Sequence, residues 1–177
     1  LNDEFEVGKN FKPNKADWLD GKWSGLATEG EEYQSGQTGI TPETMAEIGT
    51  ALTRAPDGFD MHKTVGRLLD AKKQMFETGK GFDWATGEAL AFGSLLLEGH
   101  PVRLTGQDST RGTFSHRHSA FVDQLTEQRY YPLNNIREGQ ARYEVHDSML
   151  SEYAVLGFEY GYAGSDPNSL VIWEAQF

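Results

Sequence analysis

Apolar positions fall into a helical rhythm just after residue 40. Thr41 is placed to cap, and Pro42 suits the first helical position. Thr44 is a weak substitute for the Glu of a capping box. Met45, Ile48 and Leu52 follow at helical spacing until Pro56-Asp57-Gly58 stops the run. A second helix is predicted over 63–78, where Val65, Leu68, Leu69, Met75 and Phe76 fall mostly on one stripe and Gly79 follows the last turn. A third begins after Asp83, a natural N-cap. It carries Trp84, Ala85, Ala89, Leu90, Phe92, Gly93, Leu96 and Leu97 and is apolar nearly all round, as expected of a helix packed on both sides. Glu98-Gly99-His100-Pro101 ends it, and Val102-Arg103-Leu104-Thr105 reads as a short strand closing at Gly106. Helix, turn, strand and glycine-containing loop make an α/β unit.

The pattern is weaker elsewhere. Phe114, His116, Arg117 and His118 suit a helix start, while 129–133 and 141–145 read as extended. Ser151 is placed to cap a further helix bearing Tyr153, Leu156, Phe158 and Tyr160, closed by Gly161 and Gly164. After Asp166-Pro167, the run Ser169-Leu170-Val171-Ile172-Trp173 has the character of a buried parallel strand. Residues 1–40 show little periodicity. Trp18 and Trp23 flank the turn signal Asp20-Gly21, and the stretch is read as an extended arm lying on another part of a larger protein, with 28–39 a mobile surface loop. A chain that starts at Leu1 and stops at Phe177, just after an apolar run, is expected to be an internal piece.

Composition narrows the function. With 27 acidic against 16 basic residues the net charge is −11, a surface that repels nucleic acid and anionic membrane. The acid is concentrated around Glu29, Glu31 and Glu32, so it says little about a pocket further on. There is no cysteine, which excludes disulfides, cysteine–zinc sites and a cysteine nucleophile and fits a reducing compartment. No apolar stretch approaches the ~18–20 residues of a membrane span.

No dinucleotide, Walker A, nucleophile-elbow or H-E-x-x-H motif is present. His116-x-His118 lacks a third ligand nearby, so no metal site is expected in this chain. Two runs carry chemistry. GQDSTRGTFSHRHS, 106–119, follows a strand, and loops at the carboxyl ends of strands in open α/β sheets are where ligands bind. Its bland alternative is a solvated helix start at Ser109 or Thr110. DSMLSEYAVLGFEYGYA, 147–163, places Glu152 at the start of an otherwise largely apolar helix. Residue physics alone favours a simple helix-start carboxylate there, held by the helix dipole. Glu159, two turns on, reads as a packing-edge or salt-bridge residue.

These two runs, with FDWATGEALAFGSLLLEGHPVRLTGQD before them and VIWEAQF after, resemble the E1 components of 2-oxoglutarate dehydrogenases of bacterial type, which are thiamine diphosphate enzymes. The likeness is close over 80–177, and LNDEFEVGKNFKPNKADWLDGKW fits the preceding part of the same family less specifically. It implies an α/β three-layer sandwich with a mainly parallel sheet, the pyrimidine-binding type of thiamine diphosphate domain, over 80–177, with 1–79 an extended and helical linking segment. It implies that Glu152 of Leu150-Ser151-Glu152 faces the cofactor's aminopyrimidine ring. There it shares a proton with a ring nitrogen and favours the imino tautomer that activates the thiazolium carbon toward 2-oxoglutarate. Val155, Leu156 and Phe158 are expected to keep that proton from water.

Gln107 matches a cofactor-contacting position, its amide suited to an aminopyrimidine edge, and Phe177 matches the first of two aromatic positions near the ring. Arg111, Ser115, His116 and His118 fall where relatives line the substrate channel, although an intersubunit salt-bridge role fits them as well. Mg2+ and the cofactor's diphosphate are expected to be held by a part of the protein outside this chain. The implied partners are a second copy in a homodimer and the E2 succinyltransferase with its lipoyl domain. The implied place is the bacterial cytoplasm, or the mitochondrial matrix in a eukaryote. The alternatives are a 2-oxoadipate enzyme, a non-oxidative decarboxylase or carboligase of the same family, and a non-catalytic assembly domain.

Overall fold

The computed structural model describes residues 2–12, 21–24, 26 and 36–176. Trp18, Asp20, Glu29, Glu31, Glu32 and Phe177 lie outside the described residues, and so do the expectations that rest on them. The chain divides into two compact units, Leu1–Gln37 and Thr38–Phe177. In the first, α1 (Asn2–Asn10) is a helix, where an extended arm was expected. Its acidic first turn (Asp3, Glu4) and its Lys9 near the end suit the helix dipole, although it has no buried residue. That is why its sequence carries no apolar stripe to read.

In the second unit the local signals act as their chemistry dictates. Thr41 Oγ1 accepts the N–H of Thr44 at 3.2 Å and starts α2 (Pro42–Leu52). Gly79, in the left-handed region at φ 65°, ends α3 (Lys63–Thr78). Asp83 Oδ1 accepts the N–H of Thr86 at 2.7 Å and starts α4 (Trp84–Leu97). β1 (Val102–Gly106) then lies between β4 (Tyr143–Asp147) and β5 (Leu170–Glu174), both parallel to it. β2 (Phe121–Val122) and β3 (Arg129–Tyr130) form a small antiparallel pair. Residues 114–118 make turns rather than a helix start, because 106–119 closes on itself: Arg117 N–H donates to Arg111 O and Ser119 N–H to Thr110 O.

Alternation along β1 sorts the layers. Val102 and Leu104 face a core built with Ile48 and Leu52 of α2, Phe92 and Leu96 of α4, and Leu133, Tyr143 and Val145. Arg103 points the other way, toward α5 (Glu152–Ser165). Helices therefore cover both faces of a parallel sheet, the expected α/β three-layer arrangement. α4 is packed tightly on one side only, where a Cβ at Gly93 would lie 2.8 Å from Ile48; Trp84 is almost fully exposed.

One carboxylate ties the β2–β3 turn to the segment before α3. Asp123 accepts the backbone N–H groups of Thr126, Asp60 and Leu125 at 2.8, 3.0 and 2.9 Å, and these bonds pull its carboxyl from 3.8 down to about 2. The folded state thus holds this group deprotonated more strongly than the unfolded chain does. Its stabilisation is complete above 3.8 and is lost as pH falls through about 2. Asp123→Asn is expected to flatten that part of the acid limb. Urea midpoints of both proteins between pH 4.5 and 2, on the order of that titration window, check it.

Candidate active site

The register brings three strand ends to one level: Gly106 stands opposite Asp147 on one side and Glu174 on the other. The loop after β1 and the start of α5 therefore meet at the carboxyl edge of the sheet, where open α/β sheets take their ligands. Gln107 and Glu152 converge there. Gln107 Nε2 donates to Glu152 Oε1 at 2.7 Å, and the Gln176 N–H lies 3.4 Å from Glu152 Oε2. Glu152 is the first residue of α5 and is half-buried. Ser151 holds the N-cap position without a side-chain capping bond, and Glu152 is the only acid in the first turn.

The surroundings of Glu152 differ from expectation. Val155 is buried, but Leu156 and Phe158 are exposed, so they do not wall the carboxylate off from water. The physical reason is that α5 packs only its Val155–Glu159 edge on the sheet. The face with Tyr153 and Tyr160 and the preceding Met149 and Leu150 stand open, and Phe158, beside Arg103, is exposed as well.

Glu159 is a salt-bridge residue, as its position predicts. It is 3% exposed and accepts Nε and Nη2 of Arg103 at 2.8 and 2.9 Å, while Arg103 Nη1 reaches Glu144 at 2.9 Å. The Arg103 guanidinium also lies 4.7 Å from the Tyr162 ring centre and 5.5 Å from that of Phe158. The hydrogen bonds it donates to Glu159 hold the guanidinium's affinity for its proton above normal.

The remaining candidates of the 106–119 loop do not gather on Glu152. Exposed Arg111 donates to Ser115 Oγ and Asp108 Oδ2, each at 2.8 Å. Ser115 and His118 take left-handed backbone, φ 54° and 46°, which turns the loop. His116 is half-buried beneath Gly112, where a Cβ would lie 2.5 Å from its ring, and its Nδ1 is buried without a hydrogen-bond partner among the described residues. His118 lines a groove with His62, Asp108, Thr110, Arg111 and Arg129, and burial lowers its proton affinity. Among the described residues no three His, Asp or Glu side chains gather as metal ligands.

Sequence reasoning missed the residue at the centre of this loop. Arg117 is buried and donates to Glu88 at 2.6 and 3.1 Å, to Glu174 at 2.9 and 3.0 Å and to the Ser109 carbonyl at 2.8 Å. Burial alone would weaken its hold on the proton, but the two carboxylates outweigh that and raise it. The available signal was the acid of VIWEAQF, a lone charge closing an apolar strand. Such a charge at the end of a buried strand calls for a cation.

The family described as transketolase, pyrimidine binding domain, matches residues 80–177. The chain belongs to that family. The match starts just before α4 and takes in the whole sheet with the Gln107–Glu152 corner. α2 and α3 precede the matched region, yet α2 supplies Ile48 and Leu52 to the same core. The chain is 57% identical over its whole length to the 2-oxoglutarate dehydrogenase E1 components of Brucella ovis, Brucella canis and Brucella anthropi. It spans 18% of the length of these curated relatives. No helix among the described residues is long and apolar enough to cross a membrane.

Proposed function

We propose that the protein containing this chain is the E1 component of a 2-oxoglutarate dehydrogenase. It decarboxylates 2-oxoglutarate oxidatively with thiamine diphosphate and Mg2+ and passes the succinyl unit to the lipoyl group of E2, in the citric acid cycle of the bacterial cytoplasm. The observation that carries the reading is the Gln107–Glu152 hydrogen bond at the carboxyl edge of a parallel sheet. The corner suits an aminopyrimidine. A carboxylate has about four lone-pair sites, of which the hydrogen bonds from Gln107 and Gln176 occupy two. A ring N–H can take another, and exposed Leu150 and Tyr153 offer apolar surface close by in sequence.

Bound thiamine diphosphate supplies the electron sink for decarboxylation. Glu152 then holds a proton against the ring nitrogen, and Gln107 fixes the carboxylate's aim and offers its amide to the ring's edge. Phe177 is assigned the ring's neighbourhood by resemblance. Arg111, Ser115, His116 and His118 are assigned to the substrate channel, where cations would meet the distal carboxylate of the substrate or the incoming lipoyl domain. Mg2+ and the diphosphate are assigned to the part of the protein outside this chain. The open apolar face of α5 suits burial in a homodimer.

The test is turnover of the intact protein with thiamine diphosphate and Mg2+, using an artificial electron acceptor and a panel of 2-oxo acids. We expect 2-oxoglutarate to be consumed with the highest kcat/KM. A preference for 2-oxoadipate, or decarboxylation without reduction of the acceptor, would replace the reading by one of its relatives.

A further inference from the structure

Both donors to Glu152 sit on segments that leave the paired ends of β1 and β5. Gln107 belongs to the loop leaving β1, and Gln176 follows the end of β5. Glu174 joins them. Its Oε2 accepts Ser109 Oγ at 2.8 Å, and its carboxylate accepts Arg117 at 2.9 and 3.0 Å. Arg117 in turn donates to the Ser109 carbonyl at 2.8 Å, so loop and strand end are bound twice over. The two backbones touch: a Cβ at Gly106 would lie 2.5 Å from the Glu174 carbonyl oxygen and 2.6 Å from Ser109 Oγ, which leaves glycine as the residue that fits.

We propose that Glu174, held by Arg117 and Ser109, is a positioning residue that sets the aim of the Glu152 carboxylate by fixing the Gln107 side chain and the Gln176 amide around it. The inference rests on the proposed role of Glu152. The clamp is charged and its Arg117 and Ser109 are buried, so its geometry is stiff although Glu174 is only half-buried. Burial pushes the Glu174 carboxyl up, but the hydrogen bonds from Arg117 and Ser109 outweigh it and keep the group ionised. Glu88 shares the same guanidinium, so neutralising Glu174 still leaves Arg117 a carboxylate partner. Glu174→Gln is therefore expected to fold. Ser109→Ala is a second, milder break of the same clamp, with both charges kept.

The experiment uses the intact protein with thiamine diphosphate and Mg2+. Glu174→Gln is expected to lower kcat roughly ten- to a hundred-fold, the scale of a reacting group displaced by a fraction of an ångström to an ångström. Cofactor affinity, measured by calorimetry, is expected to hold. The near-ultraviolet circular dichroism of the bound aminopyrimidine, which reports its tautomer, is expected to change. Without cofactor, hydrogen exchange is expected to rise in 107–109 and 174–176 and to stay unchanged in the β1–β4 pair. Ser109→Ala should move each readout the same way by less. A folded Glu174→Gln protein with unchanged kcat and unchanged dichroism would overturn the positioning role, even if exchange rises. Glu152→Gln is run beside it: near-normal turnover in that variant would overturn the reading of the site itself. Loss in Glu152→Gln together with no effect of Glu174→Gln would overturn the clamp alone.

Discussion

Glu152→Gln in the intact protein is expected to keep the fold and lose most activity, by about 10²–10⁴ in kcat, the usual worth of a positioned acid–base group. The amide keeps the size of the side chain and can still accept the Gln107 hydrogen bond through its oxygen. What it cannot do is hold an exchangeable acidic proton against a ring nitrogen. The fold should survive because Glu152 is half-buried at a helix start and, among the described residues, makes no ion pair and accepts only from Gln107 and Gln176. Losing a helix-start charge costs only about 0.3–1 kcal/mol. Activity and stability should thus separate cleanly. Near-normal turnover in Glu152→Gln would count decisively against an acid–base role.

Arg117→Met is expected to do the reverse and act first on stability. It replaces a buried guanidinium by an apolar chain and takes from Glu88 and Glu174 the cation that both hydrogen-bond. Breaking a buried pair by removing one partner typically costs about 3–5 kcal/mol. Two carboxylates lose their partner here, but each is about a third exposed and can draw some water, which keeps the estimate within that range rather than above it. Urea unfolding of the 177-residue chain, followed by tryptophan fluorescence, measures the change. A loss below about 1 kcal/mol would mean the network is solvated like a surface pair.

The contrast between these two residues shows what the sequence could convey. Thr41, Gly79 and Asp83 act within a turn or two of their own position, so their effects are legible in the string of residues. The strands at 102–106 and 170–174 announce themselves by apolar runs between turn signals. Glu152 is a different case. Residue physics alone reads it as a helix-start acid, and the resemblance of 147–163 to known enzymes singled it out. The bond to Gln107, 45 residues away, then gives it a structural setting. Arg117 was not legible in either way. A cation amid Ser, His and Gly reads as a loop surface, and its partners lie 29 and 57 residues off. The two histidines beside it were inseparable by spacing. Left-handed backbone at Ser115 and His118 gives one a place under Gly112 and the other a place in a groove. The exposure of Leu156 and Phe158 was hidden for a related reason: apolar residues on a helix signal that a face will be covered, not what covers it.

The most direct measurement is a crystal structure of the intact protein with thiamine diphosphate and Mg2+ bound. The account predicts a Glu152 carboxylate oxygen at hydrogen-bond distance, about 2.6–3.0 Å, from a nitrogen of the aminopyrimidine ring. It also predicts that the Gln107 amide is still bonded to that carboxylate and that the ring stands at the carboxyl edge of the β4-β1-β5 sheet. A pyrimidine ring held elsewhere, with Glu152 facing only solvent or an apolar neighbour, would contradict it.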